Sequence, residues 1–216
     1  MTATIVKVLT KYGACVACRQ KRCLAPSLIG DGAPWTSARG DAAPWIMLPM
    51  KQTPREILSG CVCTRMDAGG AQRIAWSLLK GFANRGHTSK LVFLYTKRPA
   101  YPVGEDVSTI STCRPGIAGL IGIVHRLRRM FRQHRPDAVI SHTPYSNVIV
   151  LPLAWLTGIP VRVAVHHSLS GSYSRLVRRL DRLIGATSVY VHCVAVSEVV
   201  KSSFQSYSRE YRKKLI

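Results

Sequence analysis

DAVISHTPYSNVIVLPLAWLTGIPVRVAVHHS, residues 137–168, decides the fold. Residues 137–141 hold the apolar run Ala138-Val139-Ile140, which suits a strand covered on both faces. His142-Thr143-Pro144 breaks that run. Thr143 can cap a helix over residues 145–156, and Pro144 suits its first turn because a helix start leaves that N–H unpaired anyway. Gly158-Ile159-Pro160 closes the helix, and residues 161–165 form a second buried strand that ends on His166 and His167. Apolar strands alternating with helices through short turns imply a parallel sheet.

The rhythm extends both ways. Upstream, residues 57–64 (ILSGCVCT) read as a strand and Asp67-Ala68-Gly69-Gly70 as a tight turn. Residues 71–84 follow as a helix with Ile74, Leu78, Leu79 and Phe82 on one face. Arg85-Gly86-His87 ends it with a glycine C-cap and basic groups that suit its negative end, and residues 90–96 give another strand. Residues 117–134 form a basic amphipathic helix. Its apolar positions are Ile117, Leu120, Ile121, Val124, Leu127, Met130 and Phe131, with Arg126, Arg128, Arg129 and Arg132 on the remaining surface. Downstream come a helix over 173–184, a strand over 189–196 and a last helix opened by Ser197-Glu198. The expectation is α/β: one doubly wound, Rossmann-like domain over residues 56–216. Residues 1–55, broken by Pro26, Pro34, Pro44, Pro49 and Pro54, read as an irregular segment. A start codon placed too early would produce such a stretch.

Hydrophobic residues make up 47% of the chain and charged residues 19%, so it can bury a core. A net charge of +21 draws phosphates, whether on nucleic acid, anionic lipid or a nucleotide-activated substrate. Nucleic acid is the weaker reading: no recognisable motif for it is present, and the basic residues lie on helices of a sheet sandwich. Arg126, Arg128, Arg129 and Arg132, with Arg175, Arg178, Arg179 and Arg182, fit docking on an anionic membrane, and a solvated helix face accounts for them equally well. The most apolar run, residues 148–156, holds Pro152 and is about nine residues long against the ~20 of a membrane helix, so no span is expected. The seven cysteines are an odd number, and the chain opens without a clear secretory signal. The expected location is the cytoplasm, peripheral on the inner face of its membrane. Cys15, Cys18 and Cys23 form CxxCxxxxC with no second pair at finger spacing, and no metal or cofactor is expected.

Ligands of such sheets sit beyond the carboxyl ends of the strands. That rule selects Asp67 to Gly70, His142 to Tyr145, His166 to Ser170 and Ser197-Glu198 as one rim. Gly69-Gly70 lets backbone N–H groups approach an anion or sugar at a helix start, without the spacing of a dinucleotide or phosphate-loop fingerprint. His142 and Tyr145 could hold a sugar, although a capped helix start explains their neighbours as well. Ser197-Glu198 reads first as a helix start.

Four segments, MDAGGAQRIAWSLLKGFANRGH (66–87), HRPDAVISHTPYS (134–146), GIPVRVAVHHS (158–168) and VAVSEVVKSSF (194–204), together resemble the N-terminal, acceptor-side domain of retaining GT-B glycosyltransferases of the subfamily 4-like group. The resemblance covers roughly residues 56–216. It implies transfer of a hexose-type sugar from a nucleotide-sugar donor to a polysaccharide or lipid-linked acceptor in envelope synthesis. By position it implies that His166 reaches the transferred sugar as the catalytic residue, with His167 second in line, and that Gly69 and Gly70 line the cleft. The family's donor grip lies in a second domain, which the sequence stops short of, so a severed, inactive half is the expectation. The alternative function is a basic membrane-surface or nucleic-acid-binding module without catalysis.

Overall fold

The computed structural model describes residues 59–67, 69–96 and 100–216. The irregular segment 1–55, Cys15, Cys18 and Cys23, and Ala68 of the glycine turn lie outside the described residues. The elements run β1 (Ser59–Arg65), α1 (Gly70–Ala83), β2 (Ser89–Tyr95), β3 (Val107–Ser111), α2 (Ile117–His134), β4 (Ala138–Ser141), α3 (Pro144–Leu156), β5 (Val161–His166), α4 (Arg175–Ala186), β6 (His192–Ala195), α5 (Glu198–Ser202) and α6 (Arg209–Arg212). A single 3-10 turn, Ser170–Ser172, sits between β5 and α4.

The six strands form one parallel sheet in the order β3-β2-β1-β4-β5-β6. The chain winds outward from β1 to β3, returns to β4 beside β1, and winds outward again. The switch point therefore falls between β1 and β4, which is where a crevice opens beyond the strand ends. Successive residues of a strand point to opposite faces. Cys61, Cys63, Leu91 and Phe93 meet Leu78, Leu79 and Phe82 of α1 on one side. Val62, Val92, Val139 and Ala164 belong on the other side with α2 and α3. Each fully buried side chain of this size contributes about 1.5–3 kcal/mol, which explains why the strands are apolar throughout.

Two features depart from the sequence reading. β3 (VSTIS) escaped it because this is an edge strand on which only Val107 is fully buried, so it lacks the apolar run. In α2 the buried seam is Ile123, Leu127 and Phe131, whereas Ile117, Leu120 and Ile121 are exposed, Ile117 by 87%. Helical spacing identifies an apolar stripe but does not say how much of its length finds something to cover it. The helix ends on Arg135, which takes the left-handed conformation (φ 42°) more often given to glycine.

Candidate functional site

The first wall of the crevice is the turn after β1. Gly69 is the N-cap of α1, with extended backbone (φ −74°, ψ 165°), and Gly70 opens the helix. The side chain of Gln72 folds back over Gly69. Its amide donates to the Arg65 carbonyl at 2.9 Å and to Asp67 Oδ1, while the Arg65 guanidinium donates to the other Asp67 oxygen. A methyl group on Gly69 would lie 2.5 Å from Gln72 Oε1, whereas one on Gly70 would meet nothing within 4 Å. Gly69 is thus needed by the turn itself, and Gly70 faces open space at the helix start. Sequence reading placed Asp67 in the turn with the glycines but did not single out Gln72, and the roles of both come from this folded-back latch.

The second wall is the loop after β4. Thr143 caps α3 as expected, and its backbone N–H donates to Ser146 Oγ at 3.2 Å. Its hydroxyl also bonds that of Thr64 across the switch point and accepts from the Thr64 amide at 3.3 Å, tying the two walls together. Tyr145 projects from the first turn and is exposed.

The three histidines part company. His142 is fully buried, its Nδ1 lies 3.4 Å from His167 Nε2, and its Nε2 has no partner. Burial, with a smaller contribution from His167, pushes its pKa down to about 3. His167, at the carboxyl end of β5, is half-buried, and burial and then the neighbouring His166 lower its pKa to about 4. Both rings are therefore neutral near pH 7, and one proton serves the contact between them. An orphaned buried N–H is the rarer kind of unmet group. The favoured arrangement has His142 Nδ1–H donating to His167 Nε2, which leaves His167 Nδ1–H as a donor toward a ligand.

His166, placed first by the sequence reading, does not face the rim. It is fully buried, its ring is 4.5 Å from that of Phe204, and both nitrogens are engaged: Nδ1 with the Tyr173 hydroxyl at 3.0 Å and Nε2 with the Tyr211 hydroxyl at 2.8 Å. Burial lowers its pKa to about 3. At the next strand end Ser197 accepts from the Val200 amide at 3.3 Å, a plain helix cap. Gly69, Gly70, Tyr145 and the His142–His167 pair thus belong to the loops at the carboxyl ends of β1, β4 and β5. His166 turns inward.

A parallel α/β sheet with helices on both faces and this rim is the fold of one half of a GT-B enzyme. Residues 68–214 match the sequence profile of Glycosyltransferase Family 4, and the chain belongs to that family. Among solved structures it is similar to a lipopolysaccharide outer core galactosyltransferase, WaaB, in its apo form (12% identity, TM-score 0.56, 74% of this chain and 44% of that one). It is similar also to Anabaena HepE in complex with UDP-glucose (13%, 0.56, 74% and 43%) and to UDP-GlcNAc 2-epimerase from Methanocaldococcus jannaschii (13%, 0.51, 74% and 44%). At such identities the likeness shows the fold, and the epimerase shows that the fold alone does not fix the reaction. The chain spans less than half the length of these proteins. No curated protein sequence matches it.

Proposed function

We propose that the rim is the acceptor wall of a retaining glycosyltransferase that moves a hexose-type sugar from a nucleotide-sugar donor to a polysaccharide or lipid-linked acceptor of the cell envelope. The observation that carries the reading is the position of the glycine turn and His142 on either side of the switch point, with His167 of the adjoining strand end against His142, in a chain matched to Glycosyltransferase Family 4. In this reading His167, not His166, meets the substrate, donating from Nδ1 to a sugar oxygen. Gly70 admits the ligand close to the helix start and Tyr145 offers it a ring and a hydroxyl. The donor is held by the half of such enzymes that this chain does not span, and no metal is called for. The UDP-glucose bound by the Anabaena neighbour makes UDP-hexoses the first donors to try.

The test is UDP release from a panel of UDP-hexoses by the whole gene product, with lipid-linked and polysaccharide acceptors. His167→Ala should slow it by at least about a hundredfold. Equal rates would sink the assignment, and vesicle binding without transfer from any donor would favour a membrane-surface module.

Docking on an anionic membrane belongs to the same proposal. The two arginine helices, α2 and α4, both pack against α3, with Trp155 and Leu156 of α3 exposed. On α4, Val177, Asp181 and Gly185 face inward, while Leu176, Leu180 and Leu183 form an exposed stripe beside Arg175, Arg179 and Arg182. Such a helix can lay leucines into the headgroup boundary while each nearby cation adds ~1 kcal/mol. Among the described residues no helix is long and apolar enough to cross a membrane. Flotation with anionic but not zwitterionic vesicles, weakened by Leu176→Ser with Leu183→Ser, is expected, and no flotation with anionic vesicles would end the docking idea.

A further inference from the structure

We propose that Asp181, Tyr211 and Tyr173 are positioning residues, a proton-ordered chain that holds the His166 ring in one tautomer and through it seats the loop 167–173 that carries His167. The inference rests on the reading of His167 as the group that meets substrate.

The chain is buried from end to end and joins three elements distant in sequence. Asp181 on α4 is fully enclosed and accepts from Tyr190 Oη–H at 3.1 Å on one oxygen and from Tyr211 Oη–H at 2.9 Å on the other. Tyr211, on α6, reaches this place because Gly185 has no side chain: a methyl group there would lie 2.2 Å from Tyr211 Cε2. A phenol has one proton to give. Tyr211 gives it to the Asp181 carboxylate, so its contact with His166 Nε2 at 2.8 Å requires that nitrogen to carry the hydrogen. His166 Nδ1 is then an acceptor and takes the Tyr173 hydroxyl proton at 3.0 Å. Tyr173 stands at the far end of the loop that begins with His167. The loop is pinned midway as well, where Ser170 bonds Ser203 through its amide at 3.0 Å and its hydroxyl at 2.6 Å.

A proton on Asp181 reverses the order. The acid would donate to Tyr211, Tyr211 to His166 Nε2, His166 Nδ1–H to Tyr173, and Tyr173 to the Ser168 carbonyl, which lies 3.3 Å from its hydroxyl. Every group is satisfied in both orders, and the second holds one more proton than the first. Burial raises Asp181 to about 6, so the carboxylate, and with it the Nε2–H tautomer, is the form present above that pH.

Nitrogen-15 NMR of the histidine rings above the Asp181 transition reads the tautomer directly. In the unaltered chain His166 should be protonated at Nε2. Asp181→Asn, similar in shape and presenting an amide donor to Tyr211, should switch it to Nδ1. Tyr173→Phe should leave the Nε2–H form in place but speed amide exchange across 167–173 by about five- to tenfold, the effect of one hydrogen bond. An Nδ1–H ring in the unaltered chain, or no switch in Asp181→Asn, overturns the ordered chain. Unchanged exchange in Tyr173→Phe overturns the seating of the loop. None of these readouts needs a donor or acceptor sugar, so a transferase that keeps its rate with His167→Ala would remove the proposed function while leaving this result standing.

Discussion

His166 and His167 are the same residue at adjacent positions, and the fold gives them opposite work. One points into the core, with a tyrosine hydroxyl on each nitrogen and Phe204 beside its ring. The other is half-buried at the strand end, with one nitrogen against His142 and the other unclaimed by the described residues. The chemistry of an imidazole is thus set by where β5 stops and by what closes over it, and a motif that names two histidines leaves the choice to the packing.

The contrast predicts different failures. His166→Ala leaves a cavity and strips two buried hydroxyls of a partner, so it should cost about 3 kcal/mol of stability, seen as a lower urea midpoint. His167→Ala should cost under about 1 kcal/mol of stability yet slow sugar transfer about a hundredfold, roughly 2.7 kcal/mol on the barrier. Equal stability losses in the two variants would erase the distinction between them.

Acid probes the same division. The folded-state pKa values of His142 and His166 fall from 6.5 to about 3 and that of His167 to about 4, so their contribution is present above 6.5 and is lost as pH falls toward those values. Asp181 has the opposite sign: it is raised from 3.8 to about 6, so its contribution is present below 3.8 and is lost as pH rises through 6. Between about 6 and 4 the three lowered histidines outweigh the one carboxylate. Stability should drop by roughly 2.7 kcal/mol per pH unit on acidification. Asp181→Asn removes the offset, and denaturation followed across this range should then be about half again as steep. A slope unchanged by that substitution would mean that Asp181 titrates near its ordinary value.

The fold was legible because its cause is local. Strands enclosed on both faces must be apolar, and Thr143-Pro144 and Gly158 mark a helix start and stop within a few residues. The rim followed from the topology rule. What stayed hidden depends on distant parts of the chain: Asp181 and Tyr211 lie among arginines and lysines in segments that read as surface helix, Tyr190 lies in one that reads as a strand, and the inward turn of His166 is set by Tyr211, 45 positions away. Polar β3 stayed hidden for the opposite reason, since an edge strand needs little burial.

Gly69 and Gly70 repeat the histidine contrast on a smaller scale. Gly69 lies under the Gln72 side chain, so Gly69→Ala must push that amide aside and loosen its bonds to Arg65 and Asp67, at a cost of about 1 kcal/mol. Gly70→Ala meets no neighbour, and alanine is the better helix former, so stability should rise by about 0.5 kcal/mol. The added methyl would stand in the crevice, however, where the proposed acceptor has to approach the helix start. Gly70→Ala should therefore melt slightly higher and transfer sugar more slowly, and a variant both more stable and fully active would show that the ligand does not come near this turn.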